Sequence, residues 1–405
     1  MLLRKLLTLL LWFCALSHSS GVFASPCNTG QPMGHSFASG ASWTFCAVLD
    51  EHHALELQQL HYQAPGDTNR RVLQHLHLGQ VLLHYHNEPT ADTLIGENKL
   101  GGLSLKTLNE QICDGELHNI DDSSGQSDPQ LCSFVRDTGL MAKYNLRPGL
   151  QGQQYQLFSV SEYQGLTLQI QIGLSEDGRI APSVTLSGRN TSTTTDTRFG
   201  NALLNPVTNE PIIGTQASVL YTWRMAFAMN DDAQNDTVEE FNFKLEPSLG
   251  NRRPMIVTSL STEALRNKDR NQFRGWRVKD ANGSGYYLDP QNSGFGYSDW
   301  NNNWAQFDLA LTAFSECERH SRIGAVSTEI INNVLETDGQ NECEGSLDDF
   351  VDGESMANRN PVIWYSLSRV FRPKAEDYPI ISSLQVEYEL IPFDWTPTSP
   401  FEVVE

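Results

Sequence analysis

The chain has 405 residues, with 28 basic and 49 acidic side chains and a formal charge of -21 at pH 7. A surface this acidic repels phosphate backbones and anionic headgroups, which argues against nucleic acid as a partner. It suits solubility, and it would suit a cationic ligand.

The N-terminus opens on Met1-Leu-Leu-Arg-Lys5, continues as a mostly apolar run from Leu6 to Leu16, and closes on Val22-Phe-Ala24. A short basic stretch, an apolar stretch and a small-x-Ala exit predict a secretory signal over residues 1–24. The apolar run is shorter than the roughly 20 residues needed to span a bilayer. The expected product is a secreted or periplasmic protein without a membrane span after cleavage. Six cysteines remain beyond that point: Cys27, Cys46, Cys113, Cys132, Cys317 and Cys343. Their order favours three local disulfides, Cys27–Cys46, Cys113–Cys132 and Cys317–Cys343, although six cysteines allow about fifteen connectivities. None lies in a C-x-x-C pair, which argues against zinc ribbons and redox work.

Residues 25–42, rich in Gly, Ser and Pro, read as a loose N-terminal segment, and residues 43–405 as one β domain. From Trp43 onward the apolar residues alternate with polar ones. Leu166-Thr-Leu-Gln-Ile-Gln-Ile172 and Leu384-Gln-Val-Glu-Tyr-Glu-Leu390 are the clearest runs, with parts of Tyr155–Val160 beside them. Such alternation marks strands with one buried face. Turn signals separate the runs, among them Glu176-Asp-Gly178 and Asn282-Gly283. Only Glu263–Asn267 and Ile330–Leu335 read as short helices. Many strands without a βαβ rhythm predict a mainly β protein, a large antiparallel sandwich.

Nine of the eleven histidines lie between His35 and His118, and His320 alone follows. In the pairs His75/His77 and His84/His86 the two imidazoles share one strand face, as two ligands of one metal do. Together they suggest a copper or zinc site; the alternative is that they line the wet face of an edge strand. The part of the chain after residue 118 cannot by itself build a multi-histidine metal site.

Several stretches, in order, resemble the catalytic domain of copper amine oxidases. The end is clearest: Val362 to Pro379, VIWYSLSRVFRPKAEDYP, is similar to that family's closing W-x-T-x-G-x-x-H-x-P-R-x-E-D-x-P, and Leu390-Ile-Pro-Phe393 follows. Leu55-Glu-Leu57 with Tyr62, Val72-Leu73 with His84-Tyr85, Gly96-Glu97 with Leu103-Ser-Leu105, and Cys132 with Asp137–Tyr144 match further segments. The resemblance runs from about Trp43 to Pro400. It implies a large twisted β-sandwich, and it also implies a Cys113–Cys132 bridge.

In that family a tyrosine is converted to topaquinone beside a copper held by an H-x-H pair and one distant histidine, with an aspartate as base. Tyr163, in Ser159-Val-Ser-Glu-Tyr-Gln164, stands at the quinone-precursor position, with Glu162 and Gln164 altering the surrounding motif. Tyr221 and Trp223 stand at the H-x-H pair, and Asp308 at the third ligand. Leu94 stands at the base, with Asp92 two positions away. The resemblance therefore implies a catalytically degenerate relative, acting as a binding or partner subunit with no cofactor. The alternative is a working primary-amine oxidase carrying copper and topaquinone. A second alternative is a metal-binding protein built on the histidine pairs. A homodimer and a small amine ligand are compatible with each.

Overall fold

The alternation at Leu166–Ile172 becomes the strand Leu166–Ser175, in which Leu166, Leu168, Ile170 and Ile172 are buried and the intervening Thr and Gln side chains half-buried. The same logic recurs through the computed structural model. It describes residues 27–88, 92–94, 100–120, 128–142, 149–189, 192–204, 211–269, 271–289, 307–321 and 345–401. Residues 1–24, with the expected signal, lie outside it.

Among the described residues the strands assemble into sheets of nine, eleven and three strands. Every ladder between them is antiparallel. The first sheet runs Gln31–Ser36, Ser42–Asp50, Ala54–Gln63, Arg70–Tyr85, Ala217–Phe227, Pro361–Phe371, Leu309–Ala313 and Ala264–Arg266, with Asp92–Thr93 paired to Arg70–Tyr85. The second holds the long hairpins Leu131–Ala142, Leu150–Tyr163, Leu166–Ser175 and Ile180–Gly188, extended by the C-terminal strands. One continuous core joins the inner faces of the two, with Trp43, Leu57, Leu76 and Trp223 from the first against Leu168, Ile170, Tyr286 and Leu390 from the second. Hydrogen bonds also tie the layers: Trp43 Nε1–H donates to the Ser175 carbonyl at 2.8 Å, and Tyr62 O–H to that of Glu176 at 2.9 Å. The expected large antiparallel β-sandwich is the observed fold.

Three local expectations need correction. Residues 25–42 are not loose throughout: Gln31–Ser36 pairs along Ser42–Asp50, and Cys27–Cys46 anchors its start. Pairing with a neighbouring strand outweighs a Gly- and Ser-rich composition once the backbone hydrogen bonds are satisfied. Glu263–Asn267 is no helix, because Ala264–Arg266 pairs with Leu309–Ala313; Ile330–Leu335 lies outside the described residues. Arg70–Tyr85 is an interior strand, flanked by Ala54–Gln63 and Ala217–Phe227, rather than an edge. Cys113–Cys132 is bridged as expected. Cys317 is disulfide-bonded, while its expected partner Cys343 lies outside the described residues.

Gly79 interrupts the Arg70–Tyr85 strand where its register against Ala217–Phe227 shifts. A Cβ there would stand 2.4 Å from Trp364 Cζ3, and the Gly79 carbonyl accepts the Ser321 N–H. Gly79→Ala should therefore displace the indole and cost about 1–3 kcal/mol by overpacking, measured by urea denaturation.

Candidate functional site

All eleven residues of Ala217–Phe227 are buried, and alternate ones face the inter-sheet core. Tyr221 and Trp223 are on that inner face. Burial pushes the Tyr221 phenol well above its ordinary range. Trp223 is fully buried, 6.3 Å from the Tyr388 ring, and its indole N–H has no hydrogen-bond partner. Asp308 precedes the strand Leu309–Ala313; its Oδ2 accepts the Lys268 N–H at 2.7 Å. Its own N–H donates to the Arg266 carbonyl and to Asn267 Oδ1.

Tyr163 closes the strand Leu150–Tyr163. It faces Leu166 across the two-residue turn Gln164-Gly165, where both φ values are positive (48° and 85°). This is the geometry of a tight hairpin. Its ring is partly buried against the core, and its hydroxyl accepts from Gln164 Nε2 at 2.9 Å. Leu94 is buried in the core and bonded through its backbone to Val81.

The copper of an amine oxidase needs three lone-pair donors at the ligand positions. Two of the three side chains that the resemblance assigns do not offer one. An indole offers only a donor N–H and the Tyr221 phenol is held protonated by burial. Asp308 caps the Lys268 backbone with Oδ2 and keeps a buried Oδ1 without a hydrogen-bond partner, so it is the one donor of the three.

The histidine-rich region builds a different site on the outer face of the same sheet. Ala54–Gln63 pairs with Arg70–Tyr85 so that Glu56 lies opposite His77 and Gln58 opposite His75. Leu55, Leu57, Leu76 and Leu78 point into the main core. By the period of two, Glu56, His75 and His77 point away from it. The segment 314–321 covers them. His77 Nε2–H donates to the Arg319 carbonyl at 2.9 Å, and Arg319 Nη2 donates to Glu56 Oε2. The His75 ring stacks on Phe314 at 5.8 Å.

His53, in the turn before Ala54, stacks on His77 with ring centroids 4.0 Å apart. Its Nε2 is 3.2 Å from Glu56 Oε2 and its Nδ1 3.3 Å from Asp50 Oδ1. His75 Nδ1 is 2.7 Å from Glu56 Oε1, and His77 Nδ1 is 3.6 Å from that same oxygen. Glu56 and His77 are 0% exposed and His53 1%. His53, Glu56 and His77 bring one ligand atom each to within 4.8 Å of one another.

Burial opposes charge on Glu56, but His53, His75 and His77 outweigh it and hold the carboxyl well below its usual range. Asp50 follows the same balance, its burial outweighed by His53, the His52 N–H and Arg319. Burial, with His53 and Arg224 nearby, pulls His77 down to about 3 despite Glu56. Arg224, cross-strand from His77, donates to the Ser315 carbonyl between the Phe314 and Trp364 rings, and burial pulls it down to about 10.

The two histidine pairs do not form one site. His84 and His86 lie seven to nine residues further along the strand from His77, roughly 23–30 Å at about 3.3 Å per residue. His84 Nε2 pairs with the Glu88 carbonyl and His86 Nε2 with Ser218 Oγ. His320 is half-buried and stacks on His52 at 4.8 Å. Sequence reasoning named His75 and His77 but missed His53, Glu56 and Arg319. The spacing His53-x-x-Glu56 ahead of a strand was the available signal. Arg319 had none, being 263 residues from Glu56.

No family model matches this chain, and no curated protein does. Solved structures do. A copper-containing benzylamine oxidase from Hansenula polymorpha is similar with a TM-score of 0.69 and 16% identity, covering 95% of this chain and 65% of that one. An Aspergillus nidulans amine oxidase gives 0.67 and 18%, covering 93% and 56%. The Pichia pastoris lysyl oxidase gives 0.69 and 14%, covering 88% and 52%. The chain therefore spans between about half and two-thirds of the length of these neighbours. At such identities the likeness is one of fold: this is a copper amine oxidase-like β-sandwich.

Proposed function

We propose that this protein carries the copper amine oxidase sandwich without its copper–quinone chemistry, and serves outside the cytoplasm as a binding or partner subunit. The observation that carries the reading is the side-chain chemistry at Tyr221, Trp223 and Asp308. An indole and a protonated buried phenol leave the Asp308 carboxylate as a single donor, which is not the three-ligand set that copper needs. Tyr163 adds to it, because it flanks a tight hairpin turn and bonds to the adjacent Gln164. Without copper beside it, a tyrosine stays a tyrosine.

The reading of a working oxidase would need ligands from the histidines of residues 75–86 or from a partner chain. His75 and His77 lie on the outer face of the first sheet, whereas Tyr221 and Trp223 lie on its inner face, so the backbone separates them. The two bridged pairs, Cys27–Cys46 and Cys113–Cys132, suit an oxidising compartment. No helix among the described residues is long and apolar enough to cross a membrane.

The test is mass analysis of the Tyr163 peptide after incubation with copper and air, together with peroxide release from primary amines. An unmodified tyrosine and no copper-dependent peroxide are expected. A quinone mass at Tyr163, or quinone staining of the denatured chain, would sink the proposal.

A further inference from the structure

We infer that His53, Glu56 and His77 form a buried site for a divalent transition-metal ion of the zinc class, on the face of the sheet opposite the amine-oxidase copper position. The argument begins with the His77 ring. Its Nε2 lies 2.9 Å from the Arg319 carbonyl. A carbonyl only accepts, so Nε2 carries the proton, and Nδ1 of the neutral ring presents a lone pair. That Nδ1 is fully buried and has no hydrogen-bond partner. It faces Glu56 Oε1 at 3.6 Å, too far for a hydrogen bond. Two lone pairs aimed at one buried gap are costly unless a cation lies between them.

The spacing suits such an ion. Ligands about 2.0–2.1 Å from a tetrahedral zinc stand roughly 3.3 Å from each other. His77 Nδ1 to Glu56 Oε1 is 3.6 Å, and His53 Nε2 to Glu56 Oε2 is 3.2 Å. The outer contacts match as well. Metal-bound imidazoles hold their remaining N–H on a carbonyl or carboxylate. His77 does so on Arg319 O; His53 Nδ1 makes no hydrogen bond here, but it lies 3.3 Å from Asp50 Oδ1, the carboxylate it would use once Nε2 held a metal. His75 Nδ1, at 2.7 Å from Glu56 Oε1, steadies the carboxylate or completes the coordination. Arg319, whose side chain is 38% exposed, lies on the solvent side of Glu56 and is the cation an incoming metal would displace. Two histidines and a carboxylate suit zinc, iron and copper alike, so zinc is the probe and copper the comparison.

The full chain, stripped with a chelator and titrated calorimetrically with Zn2+, should bind one ion per chain and gain thermal stability. Its Co2+ form should show the visible absorption of a four- or five-coordinate ion. Glu56→Gln should weaken zinc binding at least about tenfold. Arg319→Gln should tighten it, and the double substitution His84→Ala/His86→Ala should leave it unchanged. The inference fails if the wild-type chain takes up no zinc after chelation, which needs no variant to fold. It also fails if Glu56→Gln binds as wild type, or if the loss follows His84 and His86 instead. A quinone at Tyr163 would overturn the proposed function and leave this site untouched.

Discussion

Glu56→Ala is expected to lower the unfolding free energy in metal-free buffer by about 3–5 kcal/mol, the usual cost of removing one partner from a buried ionic network. Glu56 is 0% exposed and receives Arg319, His53 and His75 on its two oxygens. Without it, those donors, Arg319 among them, face a cavity that holds no acceptor. Glu56→Gln keeps the shape and an acceptor, so its cost should be smaller, about 1–3 kcal/mol. Urea denaturation at pH 7 reads both.

The wild-type protein should also lose stability in acid, and the sign follows from two groups. His77 titrates near 3 when folded against its ordinary 6.5, so between those values the unfolded ring binds a proton that the folded ring does not. Glu56 is held well below its ordinary 4.5, so its contribution is present above that value and lost as pH falls through the folded one. Both act in one direction. The melting temperature should drop as pH falls from 6.5 toward 3, and a flat profile across that window would contradict the burial and pairing described.

Trp223→Ala should cost about 3–5 kcal/mol, because it opens a cavity where the two sheets meet. Trp223 is fully buried, pairs in register with Tyr365, and packs near Tyr388. Trp223→Phe should cost much less, under about 2 kcal/mol. It retains an aromatic ring and removes an indole N–H that has no partner, itself a buried penalty of about 1–3 kcal/mol. A much larger loss for phenylalanine, measured by the denaturation midpoint with near-ultraviolet circular dichroism as the fold check, would mean that the N–H is satisfied in solution. The contrast separates packing from chemistry at a position the family resemblance assigns to copper.

Much of the architecture was legible in the chain. Alternation in Leu166–Ile172 corresponds to a strand with the expected faces, and the two local disulfides Cys27–Cys46 and Cys113–Cys132 form as their order suggested. The alternation of Leu384–Leu390 is kept too, although the chain breaks at Tyr388 into the strands Ile381–Glu387 and Glu389–Phe393. The site was only half legible. His75 and His77 were visible as a pair on one strand face, but their neighbours were not. Glu56 reads as the polar member of an alternating run, and Arg319 as part of a turn.

Local periodicity told which side chains share a face, because a strand turns its residues alternately up and down whatever surrounds it. That was enough for a mainly β sandwich, and the histidine count alone limits the chain after residue 118 to one imidazole, His320. Which face meets the core, and what covers the other, depends on register and on segments distant in the chain. Pairing Glu56 with His77 and laying 314–321 across them turned an expected wet edge into a buried cluster. The same pairing put that cluster on the opposite side of the sheet from Tyr221 and Trp223.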